Sequence, residues 1–207
     1  TRAIEYHLKS LKVSEEINDK MRIGTSLNNI GSVYNNNPKT VDKSLEYFLK
    51  ALPIFEEIKY DYGVGTISGN IGEIYFEGKQ YDKALPYFLT ALKMYAGTID
   101  ATFPLTMLAK IYAERADFQT AHYYHNQAID IADKLDADFE LTQSLLGLAL
   151  TQSKEGKIRD AITTYKRAET IGKSVNARKE IKEVYENLSK SYSALGDFKN
   201  AYTYETL

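Results

Sequence analysis

Three histidines, His7, His122 and His125, are the side chains of this 207-residue chain best suited to chemistry near neutral pH, and no cysteine accompanies them. His122 and His125 are three apart, a spacing that on a helix puts both imidazoles on one face and could hold a metal. No third ligand follows at a recognisable distance, so no metal site is expected. There is no strained nucleophile turn of the G-x-S-x-G type, and no glycine loop that could cradle a phosphate after a strand. The paired carboxylates Glu15-Glu16 and Glu56-Glu57 read as solvated helix faces, with no pocket to shift their titration. Asn187-Leu188-Ser189 has the pattern of a glycosylation acceptor, but its last two residues fit a packed core, so the match reads as accidental. What remains is amide chemistry. Asn28-Asn29-Ile30-Gly31 and Asn70-Ile71-Gly72 set Asn29 and Asn70 at equivalent positions of two successive segments, and an amide donates and accepts at once. The sequence therefore predicts no catalytic residue, no cofactor and no enzyme.

The elements that must position these residues are repeated. A small residue followed by aromatics recurs at Ala3, Ser44, Ala84, Ala121, Ala161 and Ala201, at intervals of 37 to 41 residues. Between these anchors lies a large–small pair with Tyr or Gln three residues after the small one: Ile30-Gly31 with Tyr34, Ile71-Gly72 with Tyr75, Leu108-Ala109 with Tyr112, Leu148-Ala149 with Gln152, and Leu188-Ser189 with Tyr192. Both elements carry apolar residues three and four apart, as one face of an α-helix requires. Short breakers separate them. Gly78, Gly156 and Gly196 suit helix ends, where glycine takes positive φ without a Cβ clash. Asn18-Asp19, Asp61, Asp100, Asp136–Asp138 and Asn176 suit N-caps and turns. Pro53 falls well inside a second helix, where it should introduce a kink.

Composition narrows the class. The chain is 43% hydrophobic and 26% charged with a net charge of −2, and no run of residues makes the basic field of a nucleic-acid surface. Its longest apolar stretch, Leu145–Leu150, is far short of the about 20 residues that span a bilayer, so no membrane contact by this segment is expected. Seventeen tyrosines against eight phenylalanines and no tryptophan suit helix–helix seams, where a ring packs inward and its hydroxyl stays reachable. The chain opens at Thr1 inside an amphipathic pattern and reads as a piece of a longer protein.

Gly156-Lys-Ile158-Arg-Asp-Ala161-Ile-Thr-Thr-Tyr165-Lys-Arg-Ala168, Gly196-Asp-Phe198-Lys-Asn-Ala201 and Tyr81-Asp-Lys-Ala84-Leu-Pro-Tyr-Phe88-Leu-Thr-Ala91 resemble the tetratricopeptide repeat family, although Gly78 stands one place early. The repeat is mostly 40 residues rather than the usual 34, a long form similar to arrays in bacterial sensors and regulators and in kinesin light chains. The resemblance implies an all-α, right-handed superhelical solenoid of about eleven antiparallel helices, beginning near Thr1 and ending in a short helix from about Asn200. It implies a single domain over 1–207, with units near 1–19, 20–60, 61–98, 99–136, 137–176 and 177–207.

The resemblance also implies a function. In the family the first helix of each pair lines a concave groove, and the partner is a protein or peptide. The residues placed there are Asn28, Asn29, Ser32, Asn70, Glu73, Phe76, Glu77 and Lys110, with Gln143, Leu150, Glu183 and Lys190 in the same register. Their charges are mixed. Relatives that grip chaperone tails use Lys, Asn and Arg, and of the matching positions here only Asn70 agrees, so that specificity is not expected. The sequence thus points to a peptide-binding scaffold in a bacterial signalling or regulatory protein. The alternative is a spacer or oligomerisation module that self-associates through exposed terminal helices.

Overall fold

In a computed structural model, residues 2–207 form eleven α-helices, with no strand among them. These are α1 (Arg2–Glu16), α2 (Lys20–Asn35), α3 (Val41–Glu57), α4 (Asp61–Glu77), α5 (Tyr81–Met94), α6 (Thr102–Glu114), α7 (Phe118–Lys134), α8 (Asp138–Glu155), α9 (Ile158–Ser174), α10 (Arg178–Ala194) and α11 (Phe198–Glu205). Thr1, where the sequence starts the first helix, lies outside the described residues. The helices pack as pairs α2–α3, α4–α5, α6–α7, α8–α9 and α10–α11. They fall into two compact units, one ending at Ala96 and the other spanning Gly97–Leu207.

In the first unit each of the pairs α2–α3 and α4–α5 is closed by glycines lying against rings. A Cβ on Gly31 would stand 2.7 Å from the ring of Phe48, and one on Gly24 would stand 2.6 Å from Phe55. The next pair repeats this with Gly72 against Phe88 at 2.9 Å and Gly65 against Tyr95 at 2.8 Å. Glycine is required at these positions for proximity, because the backbones approach closer than any side chain permits. Ser44, in the small-anchor position of α3, adds a buried hydrogen bond from its hydroxyl to the Gly31 carbonyl at 2.8 Å.

A second contact repeats near the joint of each pair. Tyr34 stacks on Tyr47, Tyr75 on Tyr87, Tyr112 on Tyr124 and Tyr192 on Tyr204, with ring centroids 5.7 to 5.8 Å apart. In α8–α9 the same two positions hold Gln152 and Thr164, and the Thr164 hydroxyl donates to Gln152 Oε1 at 2.8 Å. Cations sit over the rings at Tyr34, Tyr75, Tyr112 and Tyr192, from Lys43, Lys83, Arg115 and Lys166.

Most joints are three residues long, and the one between α8 and α9 is two. The next-to-last residue is left-handed: Asn18, Lys59, Lys79, Ala116, Asp136, Gly156, Asn176 and Gly196 all have positive φ. The next residue's N–H reaches back five positions to a helix carbonyl, as from Gln80 to Tyr75 at 2.8 Å and from Asp117 to Tyr112 at 2.9 Å. Gly156 and Gly196 do what the sequence expects of them. Gly78 does not, since its φ is −74° and Lys79 carries the turn. The acidic and amide residues also divide differently from the expectation. Asp19, Asp117 and Asp197 cap helices with their carboxylates, whereas Asn18, Asp136 and Asn176 are the left-handed residues. Asp61 and Asp138 lie just inside their helices, where a negative charge meets the N-terminal end of the dipole. Pro53 does not end α3, which runs on to Glu57.

Replacing Gly72 by Leu drives a branched side chain into the Phe88 ring and is expected to lower the unfolding free energy by about 1–3 kcal/mol. The exposed Glu77→Ala should change it by less than about 0.5 kcal/mol. Urea titration of both variants checks this, and equal shifts would refute the packing register.

Candidate functional site

The first helix of each pair presents the polar residues singled out by the sequence. In the first unit, Asn70 on α4 donates from Nδ2 to Asn28 Oδ1 on α2, at 3.3 Å. Both are half-buried, and the bond leaves the amide group of Asn28 and the carbonyl oxygen of Asn70 without a protein partner among the described residues. Asn29 is half-buried and makes no side-chain hydrogen bond among the described residues. Ser32 is half-buried, and its hydroxyl bonds back to the Asn28 carbonyl at 3.0 Å. Glu73 is half-buried and Glu77 is exposed. The Phe76 ring is engaged by Tyr81, with centroids 5.4 Å apart. Lys110 belongs to the second unit, where it is half-buried on α6.

The second unit contains residues that the sequence reading passed over. Asn187 on α10 precedes the buried Leu188 just as Asn29 precedes Ile30 and Asn70 precedes Ile71. Its Nδ2 donates to the Glu183 carbonyl at 2.8 Å. The signal was present in the repeat register but was set aside as a chance glycosylation pattern. Glu180, only 9% exposed, accepts from Gln143 Nε2 at 3.1 Å, tying α10 to α8. Leu150, Lys179, Lys182, Glu183, Glu186, Asn187 and Lys190 line a hollow of about 430 Å³ on this face.

The histidines point to separate partners on α8. His122 Nε2 meets Glu155 Oε2 at 2.7 Å, and Lys157 holds the other oxygen of that carboxylate at 2.7 Å. Those two contacts hold the Glu155 carboxyl below its ordinary range. His125 occupies the ring slot that Phe48, Phe88 and Tyr165 fill elsewhere, fully buried, with Nε2 on the Thr151 hydroxyl at 3.0 Å. Its Nδ1 is buried without a partner. Among the described residues no group of three His, Asp or Glu side chains is placed to hold a metal, and no helix is long and apolar enough to cross a membrane.

Known proteins agree with this architecture. A family model for the tetratricopeptide repeat matches residues 39–96, which take in α3, α4 and α5. Residues 39–96 thus match the tetratricopeptide repeat, and the helix pairing and caps of that segment recur outside it. BtubC (BKLC) from P. vanneervenii shares the fold with a TM-score of 0.82 at 18% identity, over 98% of this chain and 87% of that one. The apo form of the quorum sensor NprR from B. thuringiensis does so at 0.81 and 18% identity, over 98% of this chain and 58% of its own. A Rap protein complexed with competence and sporulation factor matches at 0.61 and 16% identity, over 94% of this chain and 59% of that one. The chain thus spans about three-fifths of the last two. No curated protein matches the sequence.

Burial, helped by the nearby charges of Lys110 and His122, pushes the His125 imidazole down to about 3 from its ordinary 6.5. The native protein therefore keeps it neutral, while the unfolded chain takes up a proton near its ordinary value. This contribution to stability is intact above about pH 6.5 and is lost as pH falls toward 3, at a slope approaching about 1.4 kcal/mol per unit. His125→Phe, which restores the ring of the other repeats, should flatten the pH dependence of the unfolding free energy between pH 4 and 6.5. An unchanged slope would show that His125 does not titrate on unfolding.

Proposed function

We propose that this chain is a peptide- or protein-binding scaffold, the interaction or sensory module of a bacterial signalling or regulatory protein. The observation that carries the reading is the amide face of the first unit. Asn70 and Asn28 bridge two neighbouring helices, and each keeps a hydrogen-bonding group for a ligand, with Asn29 beside them. A donor and an acceptor at fixed separation match an extended peptide backbone, which presents the same two groups along its length. The likeness in fold to a quorum sensor and to a Rap protein solved with competence and sporulation factor supports the same reading. Its action is binding. His125 is sealed in a core and His122 is engaged by the Glu155 carboxylate, so neither is offered to a substrate.

A spacer or self-associating module is the second reading, favoured by one observation. Tyr6, Val13 and Ile17 on and just after α1, and Phe198 and Tyr202 on α11, are more than half exposed.

Peptides selected from a random display library on the full chain provide the test. The double variant Asn29→Ala with Asn70→Ala should keep its fold, giving up one half-buried hydrogen bond worth about 1 kcal/mol or less. Its affinity for the selected peptides, read by fluorescence anisotropy, should fall roughly tenfold to a hundredfold, or about 1–3 kcal/mol. Full affinity in the double variant would remove the amide face from the function. A dimer in sedimentation that is broken by Val13→Lys, with no peptide selected, would favour the spacer.

A further inference from the structure

We propose that the second helices of the unit ending at Ala96 form a surface on which a second copy of this chain docks about a two-fold axis. Leu8 on α1, Leu49 on α3 and Leu89 on α5 each stand five residues after a small anchor, Ala3, Ser44 or Ala84. They are 42%, 43% and 43% exposed. Half-buried aliphatics lie one turn to either side, as Leu45 and Leu52 flank Leu49 and pack on the core beneath it. The unit thus shows an apolar stripe that crosses three helices. α3 is packed by α2 and by α4, so the exposure of Leu49 is not that of a chain end.

The fold does not require this stripe. In the unit Gly97–Leu207 the same position holds Asn126 on α7 and Lys166 on α9. Polar groups of that face are engaged within the chain, since His122 meets Glu155 and Lys166 lies over the Tyr192 ring. One architecture therefore carries an apolar and a polar version of the same face. Only the apolar version has surface to remove from water.

Charge selects the occupant. Glu5 precedes Leu8 by three residues and Glu46 precedes Leu49 by three, whereas Lys12 follows Leu8 by four and Lys93 follows Leu89 by four. All four are exposed, and both spacings keep to the leucine's helix face, about 4.5–6 Å along the axis. The stripe thus has an acidic border on one side and a basic border on the other. A two-fold axis along the stripe lays each leucine on its own counterpart with the helices antiparallel. Glu5 then meets the partner's Lys12, and Lys12 meets the partner's Glu5. An axis parallel to the helices would instead set Glu46 against the partner's Glu46 and Lys12 against the partner's Lys93. Only the first arrangement is complementary, and it uses the same patch on both copies. A lipid surface would favour the basic border alone. Docking there leaves the amides on α2 and α4 uncovered in both copies, so it neither needs nor competes with peptide binding.

Sedimentation equilibrium of the full chain, 23.5 kDa as a monomer, tests this at low salt over roughly 1–200 µM. A dimer of twice that mass is expected. Leu49→Lys, which copies the residue at the same position of α9, should weaken the dimer about tenfold or more while leaving the circular dichroism and melting temperature unchanged. Glu5→Lys or Lys12→Glu alone should weaken it about fivefold. The two together should restore it, because the exchanged charges meet again across the axis. Val13→Lys, on another face of α1, should leave the dimer intact. A monomer throughout that range, a dimer indifferent to Leu49→Lys, a charge exchange that fails to rescue, or loss of the dimer in Val13→Lys would each overturn this surface. Asn29→Ala with Asn70→Ala should weaken peptide binding and leave the dimer untouched, so the scaffold reading and this surface fail separately.

Discussion

The contact on which the pairs α2–α3 and α4–α5 depend is a ring seated where a Cβ would otherwise be. Phe48 over Gly31 and Phe88 over Gly72 fix the separation of two backbones to within tenths of an ångström. Dispersion attraction weakens quickly with any gap, and overlap is penalised more steeply, so the contact tolerates neither a larger nor a displaced partner. Everything further out on the pair inherits that separation. The tyrosine stacks form at the same centroid distance in four pairs because the rings beneath them are already placed. The polar face of the first helices is likewise positioned by a core that it does not touch.

The α8–α9 pair shows which parts of this arrangement are replaceable. Gln152 and Thr164 substitute a hydrogen bond for a stacked pair of rings, and the flanking helices keep the same pairing. His125 substitutes an imidazole for a phenyl ring and stays fully buried, but it brings a nitrogen with no partner. The outer contact is thus a matter of filling and bonding, whereas the inner one is strictly a matter of size. This explains why the small residues are more regular along the chain than the aromatics that surround them.

Much of the fold was legible in the sequence for that reason. Size-restricted positions recur with a fixed phase, and the phase alone gives the pairing and the number of helices. What was not legible depends on geometry between helices or within a joint. Gly78 attracted the left-handed turn by its residue type, but the turn belongs to the residue before the N–H that reaches back five positions, which is Lys79. Asp61 and Asp138 looked like caps, yet Tyr60 and Ala137 occupy those places. At the candidate site, the equivalence of Asn29 and Asn70 was plain in the register. That Asn28 rather than Asn29 would reach Asn70 depends on the offset of α2 against α4, which no single helix's periodicity encodes. Asn187 was in register as well, and was missed only because a different pattern explained it first.

The short joint has a consequence for how such a chain can change its length. Each tight joint passes from one left-handed residue through a single further residue to the next helix, so an inserted residue would rotate that helix by about 100° and turn its core face outward. Two joints lack this form: the Asn36–Thr40 segment after α2, and the segment around Gly97 between α5 and α6. These are also the two places where the repeat departs from 40 residues, to 41 between Ala3 and Ser44 and to 37 between Ala84 and Ala121. The tight joints act as a reading frame for the array, and the repeat departs from 40 residues only where that frame is interrupted.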